Sequence, residues 1–180
     1  MHLWQAMIMK DAENMHKKLV ITSMDEQIRS WITKFVSRPN PLLNNFPPCP
    51  FAKKAMLDDR INIYKFDEWD DLSHVAADWD DSIDVAIWWF TERSYEAMLA
   101  TKTQFNDVWR PHDMWLLMDH PDNHEIVSGV DMNFGQAGLL LLQRYSKLIE
   151  GSKVLAKQGY YDSWSDKEKD FVNRRNSKAV

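Results

Sequence analysis

One cysteine and a cluster of three histidines are the residues of this 180-residue chain whose types and spacing could do chemistry. Cys49 stands between two prolines in the string Phe46-Pro47-Pro48-Cys49-Pro50-Phe51. The pattern predicts a short helix over 51–57 with Cys49 at its N-cap and Pro50 at the first helical position, where a missing N–H costs nothing. First-turn amides, the helix dipole and the following Lys53 and Lys54 would favour a thiolate there. A free cysteine is equally a small buried hydrophobe, so a chemically used thiol and a core plug stand as two readings. The second cluster, at 112–125, holds His112, Asp113, Asp119, His120, Asp122, His124 and Glu125. His112, His120 and His124 could hold a divalent cation, His120 and His124 being four residues apart. His120 could instead act as a base oriented by Asp122, in which case Cys49 would be its nucleophile or redox partner. The same His-Pro-Asp-Asn-His string is also a good solvated turn, since proline presets φ and Asp or Asn bonds locally.

No other motif competes with these. The chain has no P-loop, no GxGxxG, no CxxC, no H-E-x-x-H and no EF-hand spacing, and its one Ser-Gly pair, at 128–129, lacks the glycine of a nucleophile elbow. No cofactor is required by any pattern in the chain, and a divalent metal is the one that the histidines would admit.

The elements that must position these residues follow from periodicity. Leu3, Trp4, Met7, Ile8, Ala12, Met15 and Leu19 recur at helical spacing, a helical extension over 1–22. Ser23 and Glu26 make a capping box for a second helix to about Ser37. Residues 38–50 hold five of the seven prolines and three asparagines, which predicts an irregular loop. Strands are expected at 60–66, 82–90 and 114–120, helices around 69–79, from Thr91 to Pro111, from about Gln136 to Gly151 and from Ser163 or Ser165 onward. Residues 125–131 could add an edge strand. Strands alternating with helices predict an α/β fold: a small three- to four-stranded, mostly parallel sheet flanked by helices, in a single domain with the N-terminal extension alongside. Placing His120 at the C-terminal end of a parallel strand puts it where open α/β sheets build ligand sites.

Composition excludes several classes. Apolar residues make up 44% and charged residues 27%, with 5 Gly, so the chain is not disordered or collagen-like. A lone cysteine forms no internal disulfide, and no secretory leader or membrane-length apolar run is visible, so the expected location is cytoplasmic with no membrane partner. Net charge is −5, with ten acids against two bases over 58–84, a balance of −8. That argues against a nucleic-acid partner, which needs a clustered basic face. Trp88, Trp89, Trp109 and Trp115 read as core rather than as a stacking platform. A small molecule or a protein partner remains, the latter meeting the acidic stretch or the proline loop, and the nine Trp and ten Met are compatible with an oligomer interface.

Two local motifs carry a resemblance. Asn44 to Ala52, ending in Cys-Pro-Phe-Ala, and the strand ending in His120-Pro121-Asp122 are similar to segments of the uncharacterised bacterial family called domain of unknown function 1415. Trp31 to Val36, Asp84 to Phe90 and Leu139 to Tyr145 fall in a similar order, over about residues 28–160. The chain departs by inserting Phe46-Pro47-Pro48 before the cysteine and by Asn133 to Gly138 before the leucine run, where that family has a Ser-Pro segment. The resemblance implies the same fold and marks Cys49, His120, Pro121 and Asp122; it implies no reaction. Cys-Pro-Phe-Ala also resembles the Cys-Pro-aromatic-Cys motif of glutaredoxins, with Ala52 in place of the second cysteine.

Overall fold

The computed structural model describes residues 23–66 and 70–177. The expected helix over 1–22 lies outside them. Helix α1 (Met24–Trp31) opens on the anticipated capping box: the Ser23 hydroxyl accepts from the Glu26 N–H at 3.3 Å, and the Glu26 carboxylate accepts from the Ser23 N–H at 2.8 Å. A π-helical turn (Ile32–Val36) continues it. The proline loop contains one 3-10 turn (Pro41–Leu43) and leads into α2 (Ala52–Leu57). There follow β1 (Ile61–Lys65), α3 (Asp70–Ala77), β2 (Val85–Phe90) and α4 (Tyr95–Trp109), capped by Ser94 rather than by Thr91. A 3-10 turn through Pro111 precedes β3 (Met114–Asp119). The chain closes with β4 (Ile126–Val127), β5 (Val130–Asp131), β6 (Gly138–Arg144), α5 (Tyr145–Lys157) and α6 (Asp166–Ser177).

Helices flank a four-stranded sheet in the order β1-β2-β6-β3, so the α/β class holds. The sheet is mixed rather than mostly parallel. β1 and β2 run parallel across the α3 crossover, but β6 inserts antiparallel to both β2 and β3. The cause is the leucine run at 139–142, which the sequence reading placed in a helix and which is the centre of β6. A central strand is buried on both faces, so its residues do not alternate apolar with polar and its period is lost. Register shows the two-sided burial: Leu140 and Leu142 lie opposite Trp88 and Ala86, while Leu139 and Leu141 lie opposite Trp89 and Ile87. On one face Ala86, Trp88, Phe90, Met114, Leu116, Leu140 and Leu142 form a core with Leu72 and Ala76 of α3 and Met98 and Phe105 of α4. On the other, Ile61, Ile87 and Leu139 pack with Ile28 and Ile32 of the first helix and Ala52 and Ala55 of α2. Burying such aliphatic side chains stabilises by about 1.5–3 kcal/mol each.

Residues 125–131 do not join the sheet as an edge strand. Ile126 pairs Asp131 and Val127 pairs Val130 in a separate hairpin. Its turn residues, Ser128 and Gly129, have φ of 49° and 82°, the doubly left-handed geometry that suits a tight hairpin. Ser128 fastens the turn to the start of α6: its N–H donates to Glu168 at 2.9 Å and its hydroxyl to the Ser163 carbonyl at 2.8 Å. Beneath it Leu43, Val127 and Val130 form a small third core.

Candidate functional site

Cys49 is not the helix N-cap; Phe51 is, and α2 begins at Ala52. The thiol packs, partly buried, against the core cluster under α1 and α2. Burial pushes its pKa up, and the opposing backbone amides of Phe51 and Ala52 do not reverse that. Its neighbours are structural. The Cys49 N–H donates to the Val36 carbonyl at 2.9 Å, and the buried Tyr160 hydroxyl donates to the Pro48 carbonyl. A thiol raised this way is a poor nucleophile at neutral pH. Iodoacetamide at pH 8 is therefore expected to label Cys49 in the native protein at least about tenfold more slowly than in urea-unfolded protein. Native labelling as fast as in the unfolded chain would show a free thiol.

His120 directly follows β3 and is 5% exposed. Both ring nitrogens are engaged by backbone: Nε2 lies 2.8 Å from the Arg93 carbonyl, and Nδ1 accepts from the Asp122 N–H at 3.2 Å. These partners select the tautomer protonated on Nε2 and occupy both nitrogens, so neither is free to ligate a metal. The ring lies against Phe90 and Tyr95 at 6.0 and 5.9 Å. Asp122 is exposed, its carboxylate 3.8 Å from Nδ1. Phe90 belongs to the core opposite the one that holds Cys49, so the sheet separates thiol from imidazole and the three residues form no common site.

The three histidines are likewise apart. His112 sits before β3, edge-on to Trp109 at 5.6 Å, whereas His120 follows the strand. Six strand residues at about 3.3 Å each put roughly 20 Å between them. His124 pairs with Asp131 at 2.6 Å on the surface. Among the described residues no three His, Cys, Asp or Glu side chains are grouped to hold a metal ion. The acids of 58–84 are partly consumed as well. Asp84 is bonded twice by the Arg60 guanidinium at 2.9 Å and approached by Lys147 at 3.5 Å, Asp81 accepts from Arg144 at 3.0 Å, and Asp58 pairs with Lys54.

A different set of residues converges at the outer edge of β3. A cavity of about 280 Å³ is lined by Lys102 and Asn106 of α4, Trp115, Leu116 and Leu117 of β3, and Phe171, Arg174 and Arg175 of α6. Asn106 builds its wall. This buried amide donates to the Leu116 carbonyl at 3.0 Å and accepts from the Leu116 N–H at 2.7 Å, standing in for a neighbouring strand. On the far side Arg175 donates to Ser152 Oγ at 2.6 Å, its carbonyl accepts the Tyr145 hydroxyl, and Tyr145 stacks on Trp115 at 4.9 Å. Arg174 is exposed and paired with Asp170 at 2.9 Å. Lys102 has no carboxylate at ion-pair distance among the described residues. Desolvation lowers its pKa, and only Glu125, at longer range, opposes that.

Perturbed acids surround the same corner. Desolvation raises the Asp119 carboxyl although the Phe134 N–H donates to it at 2.8 Å. Glu125 is raised by its dense surroundings and then by Asp119, against Lys102 and Arg175, although the residue as a whole stays exposed. A raised carboxyl stabilises the fold below its ordinary value near 4 and loses that contribution as pH rises through its folded pKa. Stability is accordingly expected to fall between about pH 4 and neutrality, and Asp119→Asn to flatten that fall. Urea midpoints at pH 4.5 and 7 measure it; an unchanged slope in the variant would sink the assignment.

Of the residues in and beside this groove the sequence reading singled out Trp115 as core and the neighbouring Asp119 and Glu125 as part of the histidine cluster. It passed over Lys102, Asn106, Phe171 and Arg175, whose one visible signal was Asn106 standing next to Phe105 in an otherwise apolar helix stripe. Comparison of the chain with family models, curated proteins and solved structures found no match, and the likeness carried by Cys-Pro-Phe-Ala and His-Pro-Asp rests on those two motifs.

Proposed function

We propose that this chain is a binding protein rather than a thiol enzyme, and that its ligand site is the groove between α4, the outer edge of β3 and α6. The observation that carries the reading is the Lys102 ammonium, set in a cavity of about 280 Å³ without a paired carboxylate among the described residues. An ammonium half removed from water is costly unless something compensates it, and a bound anion would. Concave, aromatic-lined sites with a few convergent polar groups are where small ligands bind, and perturbed titratable groups gather at such sites. The engagement of Cys49 and His120 by their own surroundings removes the support that the thiol reading had. Asp58, Asp81 and Asp84, already paired with Lys54, Arg144 and Arg60, lend little to an acidic docking face. No helix among the described residues is long and apolar enough to cross a membrane.

The test is a fragment screen by ligand-observed NMR on the wild type and on Leu117→Trp, which fills the groove. Wild-type hits are expected to disappear in the variant and to weaken in Phe171→Ala, a half-exposed position whose truncation leaves the core alone. Hits indifferent to both substitutions would place binding elsewhere and overturn the reading.

A further inference from the structure

Resting on that reading, we infer that the groove takes an aromatic monocarboxylate, with its carboxylate on Lys102 and its ring between Trp115, Leu117 and Phe171. Size comes first. A cavity of about 150 Å³ holds one benzene ring, so about 280 Å³ has room for a fused bicycle with a short acidic arm. Lining comes second: two aromatic side chains and a leucine offer faces for a flat apolar body, and no backbone group of Leu116 is open to it, because Asn106 occupies both. An extended peptide adding as a strand would need those groups.

Charge decides between anions. Arg174 is neutralised by Asp170, and the Arg175 guanidinium donates to Ser152 Oγ at 2.6 Å and to Asn176 Oδ1 at 3.4 Å. Glu125 lies within electrostatic reach of Lys102 and Arg175 and sets a negative charge against theirs. What is left over is close to one positive charge, held at Lys102. A single carboxylate balances it, whereas a phosphate dianion would bring a second charge against Glu125 with no further cation free to meet it.

Calorimetry with three probes tests this: naphthoate, its neutral analogue naphthylmethanol, and inorganic phosphate. Naphthoate is expected to bind with Kd below about 1 mM, in the range open to a ligand of this size. The alcohol should bind at least about tenfold more weakly, and Lys102→Met should weaken naphthoate by a similar factor while leaving the unfolding midpoint near that of the wild type. Phe171→Ala should weaken naphthoate but would not touch a purely ionic contact. Equal binding of naphthoate by wild type and Lys102→Met overturns the inference. Phosphate binding that depends on Lys102, with no naphthoate binding, overturns the carboxylate class yet leaves the groove as the site. Absence of binding by all three probes, together with fragment hits indifferent to Leu117→Trp, overturns inference and site together.

Discussion

Gly138→Ala is expected to destabilise the protein by about 2–3 kcal/mol, the reverse of what a strand glycine ordinarily shows. Replacing glycine by alanine inside a strand normally helps by roughly 0.5–1 kcal/mol, because glycine has more backbone freedom to lose on folding. Here Phe90 faces Gly138 across the β2–β6 pair and lays its ring over the bare backbone. A Cβ at 138 would stand 2.1 Å from Phe90 Cζ and 2.2 Å from Cε2. The ring cannot simply swing away, since Phe90 is 4% exposed, edge-on to Phe66 and against His120. Repacking would therefore disturb the very contacts that hold His120 at the end of β3. The clash is with one side chain, so Phe90→Leu should recover part of the loss in a double mutant, with a coupling of about 1 kcal/mol or more. Urea unfolding of the four proteins measures it. A Gly138→Ala protein as stable as the wild type would show that the ring has room to move.

Whether an element is buried on one face or on two decides what the sequence could disclose. Elements with a one-sided pattern were legible: Ser23 and Glu26 announced α1, the alternation over 60–66 announced a strand, and Ser163 or Ser165 announced the start of α6, where the Ser165 hydroxyl accepts from the Glu168 N–H at 3.4 Å. β6 was not legible, because Leu139 to Leu142 face cores on both sides and carry no period. Missing it turned a mixed sheet into a mostly parallel one and hid β3's place at the edge. In the histidine cluster the turn reading of His120 to His124 stands, while the grouping of all three histidines fails for a related reason. Short spacing in sequence suggests proximity, but β3 is extended, so it carries His112 and His120 to opposite ends. The groove shows the converse. Its lining comes from 102–106, 115–117 and 171–175, segments that only the fold brings together, and no local motif could mark it.

Asn106→Leu, a substitution of nearly equal volume, is expected to cost about 3–5 kcal/mol, since it strips both partners from a single buried residue of β3. Each orphaned backbone group costs roughly 1–3 kcal/mol when no water replaces the partner, and the Leu116 N–H and carbonyl would be orphaned together. Leu116 itself is wholly buried, so solvent does not readily make up the loss. The amide does what a fifth strand would do, and removing it leaves an edge able to pair with another chain, so the variant should also associate at high concentration. Asn106→Asp separates hydrogen bonding from shape. As a carboxylate it can still accept from the Leu116 N–H, but it sets a negative charge against the Leu116 carbonyl and has no proton to donate. Once protonated it can donate, and both bonds return. Burial and the facing carbonyl both raise that acid's pKa in the folded state. Its stabilising contribution is then fully present below the ordinary carboxyl value near 4 and is lost as pH rises through the raised folded value. Asn106→Asp should therefore approach wild-type stability in acid and fall away from it toward neutrality, while Asn106→Leu stays low throughout. Urea midpoints of both variants across pH 4–8 decide the matter. An Asn106→Asp protein that tracks Asn106→Leu at every pH would mean that the amide fills space in the groove wall and does not complete the strand.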